Sequence, residues 1–347
     1  MKRIVPLLLV LLCLITVKSE VLADGIAYGV KANISENQID KKVTYFDLLV
    51  KPGDTQSISL TLTNSGPEEI TLGIKANTAA TNKNGVIDYS KSGSDKDSSL
   101  EVNFSDIITG PEEITLAPKE SKDVTYELSI PKEEFQGTVL GGFYIAQIGG
   151  ESEQKQEENV QIKNEYSYVI AVKLTESDTK VLPELALHDV KPGLENYRTA
   201  VTANIQNIKP TIIDKLHIKA VVTEKGKETV MHQMVKDDMN MAPNSSFDFP
   251  INWDNKPLEP GTYTLKLEAT SSEGEWEFEK DFKIDGAVSN KLNTEAVELE
   301  KDDHWIYIII GALGLIMLGF IAVLLYRMKK LKSKLETDVL NINQRMK

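Results

Sequence analysis

The stretch VKPGDTQSISLTLTN, Val50 to Asn64, decides how the rest of the chain is read. Pro52-Gly53 signals a turn. Behind it polar and apolar residues alternate, with Ile58, Leu60 and Leu62 set against Ser57, Ser59, Thr61 and Thr63. A period of two puts one set on a buried face and the other in water, so this is a half-buried strand entered through a tight turn. The same grammar returns in LAPKESKDVTYELSIP (Leu116–Pro131), where Val124, Tyr126, Leu128 and Ile130 alternate. It returns again in MAPNSSFDFPINW (Met241–Trp253), with Phe247, Phe249, Ile251 and Trp253. VKPG itself occurs at Val50–Gly53 and at Val190–Gly193, each time ahead of a strand-like run that ends on Asn64 or Asn207. A chain written as strand, turn, strand is all-β.

The two ends place that chain in a compartment. Lys2 and Arg3, the apolar run Ile4–Val17 and the small-residue site at Val21-Leu22-Ala23 make residues 1–23 a secretory signal. The single cysteine, Cys13, lies inside it, so the exported part builds no disulfides. Near the other end, 305–326 runs without a charge; these 22 residues span about 33 Å as a helix, the thickness of a bilayer core. Trp305, Tyr307 and Tyr326 mark its edges, and Arg327, Lys329, Lys330, Lys332 and Lys334 follow. The positive flank stays in the cytoplasm, so the bulk of the chain faces outward from a single-pass anchor with a basic tail, 327–347. The net charge of −13 argues against a nucleic-acid partner.

Residues 24–285 are too long for one ordinary sandwich and suit two immunoglobulin-like β-sandwiches, 24–180 and 181–285, joined near the polar TESDTK. In the first, strands are expected at 45–50, 57–63, 69–77, 124–130, 139–147 and 166–174, with GGESEQKQEEN as an exposed hairpin loop. In the second, seven are expected, at 184–190, 199–206, 216–223, 228–235, 246–253, 262–270 and 276–284, with Tyr263 placed for a tyrosine corner. Residues 286–304, polar and acidic, read as a stalk.

Catalytic chemistry is not visible. His188, His217, His232 and His304 share no metal-ligand spacing, and no G-x-S-x-G or phosphate-cradling glycine loop occurs. No cofactor and no metal are expected. Asn82, Asn84, Gly85 and Asp88 loosely resemble a calcium loop, but Asn84-Gly85 between apolar runs is first a hairpin turn. Trp253 and Trp276 continue alternating apolar faces and read as core before they read as a sugar platform. The uncharged run VLGGFYIAQ (Val139–Gln147) fits either a central strand or an unprotected edge that a partner extends by strand addition.

Several of these runs, in order, resemble the WxL-interacting proteins of Gram-positive surfaces: NQIDKKVTYFDLLVKPGD, TAATNKNGVIDYS and FQGTVLGGFYIA in the first half, LPELALHDVKPG, IQNIKPTII, MAPNSSFDFPINW and LEPGTYTL in the second. The resemblance implies a non-enzymatic, membrane-anchored scaffold or adhesion protein. Its first domain would contact peptidoglycan, its second host matrix proteins, and the whole would assemble with secreted WxL-domain proteins. The positions it singles out for binding are Asn37, Gln38, Tyr45, Phe46, Thr81, Asn82, Tyr89, Gly141, Gly142, Phe143 and Tyr144. The alternative reading is an extracellular ligand sensor that signals through a separate membrane partner; a carboxylate-pair glycosidase comes third.

Overall fold

The computed structural model describes residues 27–91, 96–149, 166–299 and 304–345. The expected signal segment and, apart from Gly149, the charged hairpin loop lie outside them.

Two sandwiches follow one another. The first comprises β1 (Tyr28–Asn33), β2 (Phe46–Leu49), β3 (Thr55–Asn64), β4 (Ile70–Thr78), the two-residue strands β5 (Ala80–Thr81), β6 (Ile87–Asp88) and β7 (Ile108–Thr109), then β8 (Glu113–Leu116), β9 (Ser121–Ser129), β10 (Thr138–Ile148) and β11 (Ser167–Thr175). One sheet runs β1-β3-β9-β7 and the other β2-β11-β10-β4-β8, while β5 and β6 form a separate hairpin. The alternation in Val50–Asn64 has its expected result. Gly53 takes φ +75 in the turn, and Ile58, Leu60 and Leu62 of β3 are 0–1 % exposed. They meet Leu72 and Ile74 of β4 and Phe143 and Ile145 of β10 in one core, where Tyr126 of β9 packs on Phe143 with ring centroids 4.5 Å apart.

The second sandwich has the seven strands expected of it: β12 (Leu185–Glu195), β13 (Arg198–Asn207), β14 (Ile213–Glu224), β15 (Val230–Met241), β16 (Ser245–Asn252), β17 (Gly261–Thr270) and β18 (Glu275–Ile284). Its sheets run β12-β13-β16 and β15-β14-β17-β18. Trp253 is buried against His232 and Tyr263, and Trp276 is half-buried on the same core. The Tyr263 hydroxyl donates to the Glu259 carbonyl at 2.9 Å, which makes the tyrosine corner.

Of the two readings of VLGGFYIAQ the central strand holds: β10 is hydrogen-bonded to β11 on one side and β4 on the other, so no partner strand can be added there. Two expectations are corrected. The second VKPG is not a turn. Val190–Gly193 lies inside β12, just past a register shift between Leu187 and Val190, and the chain reverses later at Asn196 (φ +50) and Tyr197 (φ +62). Pro192 pairs in register with Val201, and β12 tolerates it because it is an edge strand of its sheet. The stalk is in its first part a helix, α1 (Gly286–Glu295), fastened to the second sandwich: Ser289 Oγ and Asn293 Nδ2 donate to the Leu258 carbonyl, and Leu258 N donates to Asn293 Oδ1. The helix that follows, α2 (His304–Arg345), continues through the residues expected as a basic tail; 18 consecutive residues within 309–334 have a mean hydropathy of 2.6, apolar enough to cross a membrane.

The sandwiches meet through hydrogen bonds as well as apolar contact. Thr81 Oγ1 lies 2.6 Å from Ser245 Oγ and accepts from Ala242 N, while the Pro210 carbonyl accepts from Thr138 N at 2.7 Å. The Gly85 carbonyl accepts from Asn240 N, and Ala79, Leu140 and Ala242 form a small core with Ile87, Tyr89 and Ile212 around them. A Cβ on Gly137 (φ +69) would stand 2.2 Å from the Pro210 carbonyl oxygen, so only glycine fits this seam.

Candidate functional site

Strand alternation sorts the expected binding residues before any ligand is considered. On β2 and β10, Phe46 and Phe143 point inward and are fully buried, and Gly141 faces the Phe104 ring. These three cannot touch a ligand; they are core. Their neighbours Tyr45, Gly142 and Tyr144 point to the opposite, outer face of the five-stranded sheet.

The remaining polar candidates are occupied by the fold. Gln38 is 5 % exposed; its Nε2 donates to the Asp40 and Tyr45 carbonyls and its Oε1 accepts from Asp47 N, so it holds the loop that covers the edge of β2. Asn37 Nδ2 donates to the Leu49 carbonyl and to Gln56 Oε1. Asn82 Oδ1 accepts from Asn84 N and Val86 N and closes the β5–β6 turn, in which Gly85 takes φ +71. Thr81 lies in the seam already described. Of the polar set, none faces a free surface as a ligand donor.

What the fold does assemble is a tyrosine shelf. Tyr89, carried on the β5–β6 hairpin, lies over Gly142, where a Cβ would stand 2.8 Å from its ring. Its main chain is fixed there by Asn77 Nδ2, which donates to the Tyr89 carbonyl. Burial, with Tyr45 adding to it, pushes the Tyr89 phenol up to about 12, so it stays a neutral donor under all ordinary conditions. Beyond Tyr89 the register places Tyr144 between Val169 of β11 and Lys75 of β4. Tyr45 is 36 % exposed and Val169 43 %, and Ile148 lies over Gly73 farther along the strand. Lys75 is exposed and has no ion pair among the described residues, whereas Lys173 on the same face is 3.2 Å from Asp47. The shelf is thus aromatic and flat, with small residues as its floor and one unpaired ammonium at its side. Sequence reasoning named the tyrosines but not Lys75 or Val169, which only the pairing of β4, β10 and β11 brings beside them.

Among the described residues the histidines do not converge on one another. Three histidines are held in separate places, His188 by Gln206, His217 by Asp237 and His232 by Asp254. No cluster of three metal-ligating side chains occurs among the described residues.

The fold defines a protein of two β-sandwiches in series. Residues 28–147 match the family model described as WxL Interacting Protein, peptidoglycan binding domain, and residues 157–294 that described as WxL Interacting Protein, host binding domain. The chain belongs to the WxL Interacting Protein family. Both descriptions are of binding domains, not enzymes. The second match begins ahead of β11, although β11 pairs with β10 and β2 inside the first sandwich. No curated protein matches the chain. Similar solved structures include the E. coli chaperone DraB (14 % identity, TM-score 0.28, covering 74 % of this chain and 98 % of that one). They also include the Salmonella enterica SafA pilin in complex with the SafB chaperone (11 %, 0.27, 68 % and 98 %) and the YadV chaperone (11 %, 0.29, 75 % and 100 %). TM-scores this low transfer no function.

Proposed function

We propose that the protein is a membrane-anchored surface scaffold whose first sandwich holds peptidoglycan on the tyrosine shelf. The observation that carries this is the convergence of Tyr45, Tyr89 and Tyr144 with unpaired Lys75 on one open sheet face, in the domain whose family description is peptidoglycan binding. Pyranose rings present apolar C–H faces that stack on aromatic rings, and phenol hydroxyls meet the sugar's polar rim. Stem-peptide carboxylates need a cation, and in a chain of net charge −13 an ammonium without a carboxylate partner is the group to supply it. The second sandwich, of the host-binding type, engages host matrix proteins, and WxL-domain proteins assemble on the same ectodomain. The uncharged run 309–326 anchors it, and the basic residues from Arg327 to Lys334 that follow hold that end in the cytoplasm.

Co-sedimentation of residues 24–299 with purified peptidoglycan tests this. The wild type should pellet with the polymer and release no fragments. Tyr144→Ala and Lys75→Ala should each weaken binding by about two- to tenfold, the range for one exposed aromatic or charged contact. Circular dichroism should not change, because neither side chain is in the core. Normal pelleting of both variants would remove the shelf as the site; a wild type that stays in the supernatant would remove peptidoglycan as its ligand.

A further inference from the structure

The chain does not leave the second sandwich on a free tether. After α1, Val297 N donates to the Tyr197 carbonyl at 2.8 Å, and Glu298 forms an ion pair with Arg198. The next helix begins at His304, so five residues, 299–303, separate the last tie from α2. Six steps of extended chain reach about 20 Å at most. That is roughly half the length of a small domain, and it keeps the hairpin tip Glu195–Arg198 within about 20 Å of the start of α2.

The tip is built in an unusual way. A two-residue hairpin turn with positive φ at both central positions normally takes Asn-Gly, since a side chain in the left-handed region is strained. Here the pair is Asn196 (φ +50) and Tyr197 (φ +62). The ring that stands where glycine is favoured is 72 % exposed, more than any other large hydrophobic side chain among the described residues. Strain held at an exposed aromatic points to a partner for that aromatic. Charge around it is nearly balanced: Arg198 is paired with Glu298 and Glu195 with Lys83. Lys256, whose carbonyl accepts from Thr199 Oγ1, and Lys291 of α1 lie at the same end without an ion pair among the described residues.

We infer that this tip rests on the outer lipid surface, with the Tyr197 ring at headgroup level, so that the second sandwich sits on the membrane instead of swaying above it. A tyrosine ring prefers that depth because its apolar body meets acyl chains while its hydroxyl stays among polar groups. The inference rests on the anchored reading of α2. It goes beyond that reading, which by itself would allow an ectodomain at any distance.

The test uses the whole chain in phosphatidylcholine–phosphatidylglycerol vesicles, with Cys13→Ser removing the only thiol. An environment-sensitive fluorophore is placed at Asn196→Cys, which leaves Tyr197 intact, and at Leu182→Cys, exposed in the linker between the sandwiches. Brominated lipid should quench the label at 196 severalfold more than the label at 182, and adding Tyr197→Ser should lower that quenching to the level at 182. Flotation of the chain with the vesicles is scored in the same samples. Failure to float overturns the anchored reading and the contact with it. Flotation with equal quenching at 196 and 182, or quenching at 196 that Tyr197→Ser leaves unchanged, keeps the anchor and overturns the lipid contact alone.

Discussion

Asn64 and Asn207 occupy the same place in their two sandwiches, the last residue of β3 and of β13, and both are completely buried. Asn64 Nδ2 donates to the Glu68 carbonyl at 2.7 Å and the Ala117 carbonyl at 3.0 Å, and its Oδ1 accepts from Gly66 N. Asn207 Nδ2 donates to the Thr211 carbonyl at 2.7 Å and the Ala242 carbonyl at 3.1 Å, and its Oδ1 accepts from Lys209 N. Each amide therefore ties the corner loop after its own strand to an Ala-Pro turn that opens another strand, where Lys119 and Asn244 take the left-handed conformation. Loop carbonyls buried this way have no water to turn to, so Asn64→Ala or Asn207→Ala should cost about 2–4 kcal/mol of unfolding free energy in urea. Lys31→Ala, exposed on β1, should fall within about 0.5 kcal/mol of wild type. Equal stability of the buried and surface variants would show that the amides are not staples. That both strands end on asparagine is plain in the sequence. What the amides hold is not, because their partners lie up to 53 residues away.

At the scale of elements, the pair Gly141-Gly142 shows what alternation settles and what it leaves open. Adjacent residues of β10 face opposite sides, and an aromatic ring approaches each: Phe104 from within and Tyr89 from outside. A Cβ at 141 would stand 2.0 Å from the Phe104 ring, in a core with no room to yield, whereas a Cβ at 142 would meet the Tyr89 ring of a surface hairpin at 2.8 Å and the Ile170 carbonyl of β11 at 2.9 Å. Gly141→Ala should therefore lower the melting temperature of the first sandwich by several degrees more than Gly142→Ala. Gly142→Ala should instead displace Tyr89 and weaken peptidoglycan pelleting; the reverse order would contradict the placement of the two rings. Alternation alone already assigns one member of Tyr45-Phe46 and of Phe143-Tyr144 to the core. Its phase is what the sequence leaves free, and the buried neighbours fix it. An uncharged run reads alike in a central strand and at an edge, so only the pairing with β11 and β4 decides β10. β1 and β8 escaped sequence reading for another reason: Tyr28–Asn33 and Glu113–Leu116 are short, partly exposed edge strands, and their alternation runs for only three and two apolar residues.

Over the whole molecule, two cores and the seam between them explain why the domain limits differ by criterion. The first family match ends at residue 147, but β11 fills the slot between β2 and β10, with Val172 opposite Phe46 on one side and Gly141 on the other. A fragment of residues 27–150 lacks that strand and leaves Phe46 and Leu48 without their sheet neighbour. It should melt without cooperativity or fail to fold, whereas 27–180 should give a single β-rich transition. A cooperative melt of the shorter fragment would place β11 with the second sandwich. The parallel pairing of β2 with β11 also sets an order of events in time. A secreted chain emerges from its N-terminus, so Phe46 and Leu48 are in the open long before Val172 and Leu174 arrive to cover them. Late closure of distant segments is slow and leaves apolar strands exposed while it lasts. On the exported, anchored reading proposed above, there is an interval in which a half-built sheet must be kept from joining its neighbours, and the length of that interval is set by how fast the segment after β10 is delivered.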